Sequence, residues 1–165
     1  MPSVTLSPPA TYTRPRFPSL YWPIRAPLST PRYLYYTIDI LRYTLYWTLI
    51  FFGAVHLATS AWAVAMVLRS AFCPTGPKSR SSAGWKTRGV RSELRATLGY
   101  AWAIPVIMVV VGAVEALLAG SVVGAILGAI YSAGYYKMST WTPFLWGLIN
   151  VLVLVLSSFS IHGGL

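Results

Sequence analysis

Residues 43–68 read YTLYWTLIFFGAVHLATSAWAVAMVL, and none of these 26 residues is Asp, Glu, Lys or Arg. A helix of this length measures about 39 Å, which is enough to cross a hydrocarbon core of ~30 Å with some tilt. Tyr43, Tyr46 and Trp47 stand at its start, where amphipathic rings favour the headgroup layer. Arg69 follows its end. This stretch therefore predicts a transmembrane helix, and with it an integral membrane protein.

The overall composition supports the same interpretation. Of the 165 residues, 56% are hydrophobic and only 10% are charged, whereas a soluble domain carries about 25% charged residues. The net charge is +10, from 13 Lys and Arg against 3 Asp and Glu. Because the basic residues flank apolar runs, the expected partners are the lipid bilayer and its anionic headgroups, and nucleic acid is not expected.

Two further spans follow. The apolar segment 98–136 would form a helix of about 58 Å, too long for one simple span. It contains no polar turn, and Pro105 suits a first helical turn, so we predict one span over 104–131, with a double crossing as the alternative. Thr142 and Pro143 suit the start of a third span over 144–161. The predicted fold is an all-α integral membrane protein with about three transmembrane helices.

The remaining segments are polar or rich in proline. Residues 1–32 contain eight of the 12 prolines and four arginines, which predicts a disordered Pro/Arg-rich tail. Residues 33–165 form the transmembrane helical domain, and the basic loop 69–97 separates its first two spans. The loop contains seven Lys and Arg, while Lys137 alone precedes the third span. The positive-inside rule then predicts a cytosolic loop, a lumenal N-terminus and a cytosolic C-terminus.

Small residues recur at intervals of four along the second span. Such spacing keeps them near one helix face, and small side chains allow a second backbone to approach closely in lipid. We expect this stripe to pack against the other spans of the chain. The alternative is an interface with a homo-oligomer or another membrane protein. The stripe consists of Gly112, Ala116, Gly120, Gly124, Gly128 and Ser132.

Three polar side chains lie inside the predicted spans: His56, Glu115 and Asn150. A lone carboxylate at membrane depth is costly, so Glu115 should be neutral, paired or in contact with a wet cavity. One interpretation is a hydrogen bond between helices that sets their register. The other is a proton relay, an ion site or a lipid-headgroup contact.

The basic loop is a candidate contact for anionic lipid. Each Lys or Arg near an anionic leaflet contributes about 1 kcal/mol, and Glu93 is the only acid among them. Alternatively, these charges only set the topology. The candidate residues are Arg69, Lys78, Arg80, Lys86, Arg88, Arg91 and Arg95.

The sequence does not suggest an enzyme. It lacks the H-E-x-x-H, G-x-S-x-G and glycine-rich phosphate-loop motifs. Two His, one Cys and three acids are too few and too dispersed for a usual metal site. No catalytic residue, cofactor or metal is expected.

The chain resembles the transmembrane protein 170 family of small eukaryotic membrane proteins. The resemblance covers residues 43–161 and depends on WTLIFFGAVHLATSAWAVAMVLR (47–69), GAIYSAGYYKM (128–138), a Pro-Phe pair, and VLVLVLSSF (151–159). It implies three spans, a lumenal N-terminus, residence in the endoplasmic reticulum and nuclear envelope, and a role in organising membrane shape or scaffolding partners. The longer basic loop, the tail and Glu115 depart from the family pattern. A transporter, channel or lipid-handling subunit with a polar cluster around Glu115 is the alternative function.

Overall fold

Three long helices and a two-stranded sheet make up the described part of the chain. The computed structural model describes residues 12–21, 33–72 and 99–163. All three helices are long and apolar enough to cross a membrane, which confirms the all-α, three-span prediction. In chain order the elements are β1 (Tyr33–Leu34), α1 (Thr37–Phe72), α2 (Ala103–Ala133), β2 (Met138–Ser139) and α3 (Trp141–Gly163). The spans predicted at 43–68, 104–131 and 144–161 lie within these helices.

Helix α1 begins six residues before the predicted span and has 36 residues. Asp39 lies in its first turn and Arg69 in its last, where their charges complement the helix dipole. The hydroxyls of Thr44 and Thr48 donate to the carbonyls of Ile40 (2.9 Å) and Thr44 (2.8 Å). These polar side chains are therefore satisfied by their own helix and can be buried.

Helix α2 is a single helix of 31 residues with Pro105 in its first turn. It ends in a Schellman motif. The Tyr136 amide donates to the Tyr131 carbonyl (3.0 Å), and the Tyr135 amide donates to the Ser132 carbonyl (3.3 Å). Tyr135 takes the left-handed position with φ of 56°, where glycine is the usual residue.

The short sheet joins the segments that precede α1 and α3. Strands β1 and β2 are antiparallel, with Tyr33 opposite Ser139 and Leu34 opposite Met138. Helix α3 starts immediately afterwards, and the Trp141 amide donates to the Ser139 hydroxyl (3.4 Å). Helix α3 begins at Trp141, one residue before Thr142, which the sequence places with Pro143 at the start of this span.

The chain divides into two compact units. One comprises residues 1–52 and 114–165, of which the structure describes 12–21, 33–52 and 114–163; the other is Gly53–Ala113. We call them the first and second units. The core of the first unit brings both strands together with two helices. Its buried members are Leu34, Ile40, Tyr43, Leu127 and Met138, with Val123 and Tyr131 packed against them.

The predicted tail lies partly within the described residues. Residues 1–11 and 22–32 lie outside them, as does 73–98, which contains most of the basic loop. Residues 12–21, called here the N-terminal segment, form no helix or strand. They nevertheless make specific contacts with the first unit that the prediction of a disordered tail did not include.

Candidate functional site

The small-residue stripe faces α1. Within the first unit, a methyl group added at Gly124 would lie 3.1 Å from the Leu41 Cα and 3.2 Å from the Leu41 carbonyl oxygen. One added at Gly120 would lie 3.2 Å from the Leu45 Cα. The two backbones are thus so close that a Cβ atom at either glycine would require the facing backbone of α1 to shift by a few tenths of an ångström.

The stripe continues in both directions along α2. Gly128 lies against Thr37, and the Ser132 and Thr37 hydroxyls are hydrogen-bonded. Ala116 is fully buried. In the second unit, a methyl group at Gly112 would lie 2.7 Å from the His56 Cγ. Each of these contacts lies within the chain itself, so the stripe supplies helix packing whether or not a partner also binds.

Thr48 is the point in the first unit where all three helices meet. It is fully buried and lies opposite Gly120 of α2. The Asn150 side-chain amide of α3 donates to its hydroxyl across 3.4 Å. A methyl group at Gly147 of α3 would lie 3.1 Å from the Thr48 amide nitrogen. Asn150, one of the three polar candidates, therefore joins α3 to α1.

The other two polar candidates lie in different units. Glu115 belongs to the first unit; it is half-buried on α2, and its Oε2 atom is shielded from solvent. His56 is half-buried in the second unit, where its ring lies against Gly112. The structure thus assigns a definite contact to Asn150 and to His56, and a sheltered position to Glu115.

Of the seven basic candidates for lipid contact, the structure describes Arg69. It lies exposed in the last turn of α1, a position from which a long side chain reaches headgroups. The other six lie outside the described residues: Lys78, Arg80, Lys86, Arg88, Arg91 and Arg95.

A buried ion pair forms at the start of α1. The Arg14 Nη2 atom of the N-terminal segment lies 2.6 Å from the Asp39 Oδ1 atom. The Asp39 side chain is 1% exposed and that of Arg14 is 51% exposed. A carboxylate withdrawn from water needs a compensating charge, so Arg14 holds the N-terminal segment against the helix.

Three backbone carbonyls of the N-terminal segment accept hydrogen bonds from side chains elsewhere in the first unit. The Tyr43 hydroxyl donates to the Pro15 carbonyl (2.6 Å), and the Thr140 hydroxyl donates to the Ser19 carbonyl (3.0 Å). The Trp141 indole donates to the Tyr21 carbonyl (2.8 Å). Proline removes an amide donor but leaves the carbonyl free to accept. A segment rich in proline can therefore dock onto side-chain donors without joining a sheet.

Aromatic rings fill the space beneath this segment. Phe17 packs on Tyr43, Tyr46 and Trp47 with ring centroids 5.6, 5.4 and 5.1 Å apart. Trp47 continues the cluster to Phe144 of α3 at 4.8 Å. Such contacts contribute about 0.5–1.5 kcal/mol each beyond simple burial. The aromatic side chains that the sequence places at the start of the first span therefore also form a packed cluster.

Tyr12 closes the outer end of the segment. Its hydroxyl donates to the Tyr33 carbonyl across 3.3 Å, and its ring packs edge-on to Tyr35. Burial, and then the neighbouring Asp39 carboxylate, raise the pKa of the Tyr12 phenol above its usual value of 10.0. The phenol therefore stays protonated, and remains a donor, well above neutral pH.

The Arg14–Asp39 pair is the feature that sequence reasoning missed. Asp39 is the only acid before residue 93 and is preceded by four arginines, so a salt bridge to the tail could have been suspected. The sequence does not indicate which arginine pairs with Asp39, because Arg14 and Asp39 are 25 positions apart. Within 12–21, 33–72 and 99–163, no three His, Cys, Asp or Glu side chains are grouped as ligands of a metal ion would be.

Comparison with known proteins finds similarity to a protein family and to a yeast protein. A family model described as Transmembrane protein 170A/B-like matches residues 93–165, a range that includes α2, β2 and α3. A protein of Saccharomyces cerevisiae (strain ATCC 204508 / S288c), described as uncharacterized protein YPR153W, is 35% identical over 157 residues. That alignment covers 94% of this chain and 91% of the yeast protein. No solved structure matches.

Proposed function

Because the chain belongs to the transmembrane protein 170A/B-like family, we propose that it is a non-enzymatic protein that organises membrane shape or scaffolds partners. Its place of action is the endoplasmic reticulum and nuclear envelope, as the resemblance implies. The observation that carries the proposal is the interior of the first unit. There, glycines, Thr48 and Asn150 join the helices by close packing and a hydrogen bond. A bundle packed in this way suits a rigid inclusion in the bilayer.

The outer surface supports the same role. Within the first unit, large apolar side chains on all three helices are exposed, among them Ile50 (48%), Leu118 (66%) and Leu156 (67%). In a membrane such residues contact lipid. A rigid body with a broad apolar surface imposes its own shape and thickness on the lipids around it.

Deleting the gene and imaging the endoplasmic reticulum and nuclear envelope tests this proposal. We expect altered proportions of sheets and tubules or an altered envelope outline. Wild-type protein and Gly53→Leu should restore them, because a methyl group at Gly53 meets nothing within 4 Å. Gly124→Leu, which forces α1 and α2 apart, should not. Normal membranes in the deletion strain would contradict the proposal.

The orientation is part of the proposal: the basic loop 69–97 is cytosolic and the connection between α2 and α3 is lumenal. Its support is the excess of basic residues in the loop. Single cysteines introduced at Ser82 and Tyr136, with Cys73→Ser as background, test it by labelling with an impermeant thiol reagent. Tyr136 is 71% exposed, so a thiol there is accessible. Labelling of both positions from the same side would refute the assignment.

The basic loop also enters the proposal as an anionic-lipid contact on the cytosolic face. The loop contains seven Lys and Arg and one acidic residue, Glu93, so its net charge is strongly positive. Its attraction to anionic lipid falls off within a Debye length, which is about 8 Å at physiological salt. Full-length protein with Gln at positions 78, 80, 86, 88, 91 and 95 should bind phosphatidylserine less than wild type at low salt. Equal binding would leave the charges with a role in topology alone.

A lipid-handling or transport role is the second candidate, and the sheltered Glu115 Oε2 atom is the observation that favours it. Ionisable side chains inside spans commonly serve substrate or proton pathways. Glu115→Gln keeps the size and hydrogen-bonding capacity of the side chain but cannot carry charge. If the Gln variant rescues the deletion strain fully, an ionised Glu115 is not required and this candidate is rejected.

A further inference from the structure

Three exposed arginines lie on the first two turns of α1 or on the N-terminal segment docked there. Arg14 lies on Asp39, and Arg42 follows Asp39 by one helical turn. Arg16 lies between Pro15 and Phe17, both of which are anchored on Tyr43. All three arginines are exposed. The docking of the N-terminal segment thus concentrates charges that are up to 28 positions apart in the sequence.

No acid offsets this charge at the surface of the described part of the segment and α1. Asp39 is buried and already neutralised by Arg14. Lys137 adds a further exposed positive charge, with its Nζ atom 4.4 Å from the centre of the Tyr33 ring. The described residues around the start of α1 therefore carry a net charge of +3, counting four basic side chains against one acid.

The aromatic cluster sets the depth of this basic group. Tyr43, Tyr46 and Trp47 occupy the first two turns of the predicted span, and such rings favour the layer between headgroups and hydrocarbon. Arg42 directly precedes them, and Arg16 adjoins Phe17, whose ring packs on them. Residues 16 and 42 therefore adjoin rings that favour this layer, where a guanidinium group can bind a lipid phosphate by paired hydrogen bonds.

We propose that Arg16 and Arg42, which both adjoin Tyr43 once the N-terminal segment is docked, form a binding site for the headgroup of an anionic phospholipid. The site is separate from the basic loop, which follows the opposite end of α1. Arg14 is a positioning residue: its charge is used by Asp39, and it holds the segment that carries Arg16. Exposed Phe17 and Tyr46 (36% and 44%) flank the site and can contact the acyl chains.

Native mass spectrometry of the full-length protein, titrated in detergent with phosphatidylserine or phosphatidylcholine, tests the site. All variants carry Gln at the six basic loop positions 78–95, so that the loop cannot hide the effect. The parent should bind phosphatidylserine more tightly than phosphatidylcholine. Since each arginine near an anionic headgroup contributes about fivefold in affinity, Arg16→Gln with Arg42→Gln should weaken phosphatidylserine binding at least fivefold and leave phosphatidylcholine binding unchanged.

Two matched variants make the result specific. Arg25→Gln with Arg32→Gln removes the same charge from the same tail and should retain the preference for phosphatidylserine. Arg16→Lys with Arg42→Lys preserves the charge but not the paired hydrogen bonds, so it should retain part of the preference for phosphatidylserine, which shows that the loss in the Gln variant is not misfolding. An equal fall in both Gln pairs, or no preference in the parent, would overturn the proposal.

Discussion

The two halves of α1 differ sharply in how they are packed. In the first half, Thr37–Phe52, six side chains are buried, including the polar Asp39, Thr44 and Thr48. Of residues 53–69 in the second half, only Ser60 has a buried side chain. Both halves are strongly apolar, so hydropathy does not separate them. The difference comes from what each half meets in its own unit.

Small residues and polar partners surround the first half. Gly120 and Gly124 bring α2 within backbone contact, Asn150 bonds to Thr48, and the N-terminal segment covers Asp39. The second half presents Trp62 and Met66 outward, 70% and 56% exposed. Apolar side chains gain little when they exchange lipid for protein, so close packing and hydrogen bonds decide which half is buried.

The largest expected effect comes from filling the close contact. Gly124→Leu should lower the free energy of unfolding in micelles by about 3 kcal/mol, because its side chain meets the Leu41 backbone and overpacking at a tight contact costs about that much. Gly53→Leu is the matched control in the second half of α1, where an added methyl group meets nothing within 4 Å, and it should change stability by less than about 0.5 kcal/mol. Equal losses would mean that the two halves are packed alike.

The stripe that this prediction uses was readable from the sequence, and so were the three spans. Small residues at intervals of four lie on one helix face. In a long uncharged segment that crosses lipid, the backbone N–H and C=O groups must bond to one another, which a helix achieves. The partners of those faces were not readable. Thr48 and Asn150 are 102 positions apart, and nothing local to either residue specifies the other.

The N-terminal segment escaped prediction for a different reason. Its proline content predicts disorder because proline cannot continue a helix or a sheet. The segment instead docks through carbonyls onto the side-chain donors Tyr43, Thr140 and Trp141. The proline content thus agrees with the absence of helix and strand in residues 12–21. It does not indicate the hydrogen bonds that these residues accept from side chains distant in the sequence.

The next largest loss of stability is expected from breaking the Arg14–Asp39 ion pair, which holds the N-terminal segment on the first half of α1. Arg14→Gln leaves the buried Asp39 carboxylate uncompensated and should destabilise the protein by about 2 kcal/mol, less than for a fully buried pair because Arg14 is half-exposed. Arg16→Gln removes an equal charge two positions away and should leave the unfolding free energy unchanged. A double-mutant cycle with Asp39→Asn should recover most of the loss. If Arg14→Gln and Arg16→Gln are equally stable, the pair contributes nothing to docking.

A smaller effect is expected where the helices of the first unit meet. Thr48→Val keeps the shape of the side chain but removes the hydroxyl that accepts from Asn150. A hydrogen bond between helices in a membrane protein contributes about 0.6 kcal/mol and at most about 1.7 kcal/mol, so we expect a loss of about 1 kcal/mol. Thr59→Val is the control, because the exposed Thr59 hydroxyl donates to carbonyls of its own helix. If Thr48→Val is as stable as Thr59→Val, the hydrogen bond from Asn150 does not stabilise the packing of α3 on α1.

The smallest effect should be a gain in stability, at a position of the first unit where the native residue is unfavourable. Tyr135 has φ of 56° at the end of α2, a left-handed conformation that costs a residue with a Cβ atom about 1 kcal/mol. Its side chain is 63% exposed, so its removal sacrifices little packing. Tyr135→Gly should therefore raise the free energy of unfolding by about 0.5 kcal/mol, after the greater backbone entropy of glycine in the unfolded chain is subtracted.

Tyr136→Gly is the matched control: Tyr136 is also exposed but has no positive φ, and the glycine there should lower stability by about 0.5–1 kcal/mol. Chemical unfolding of both variants beside wild type measures the difference, and a loss of stability in both would show that the left-handed turn costs the protein nothing.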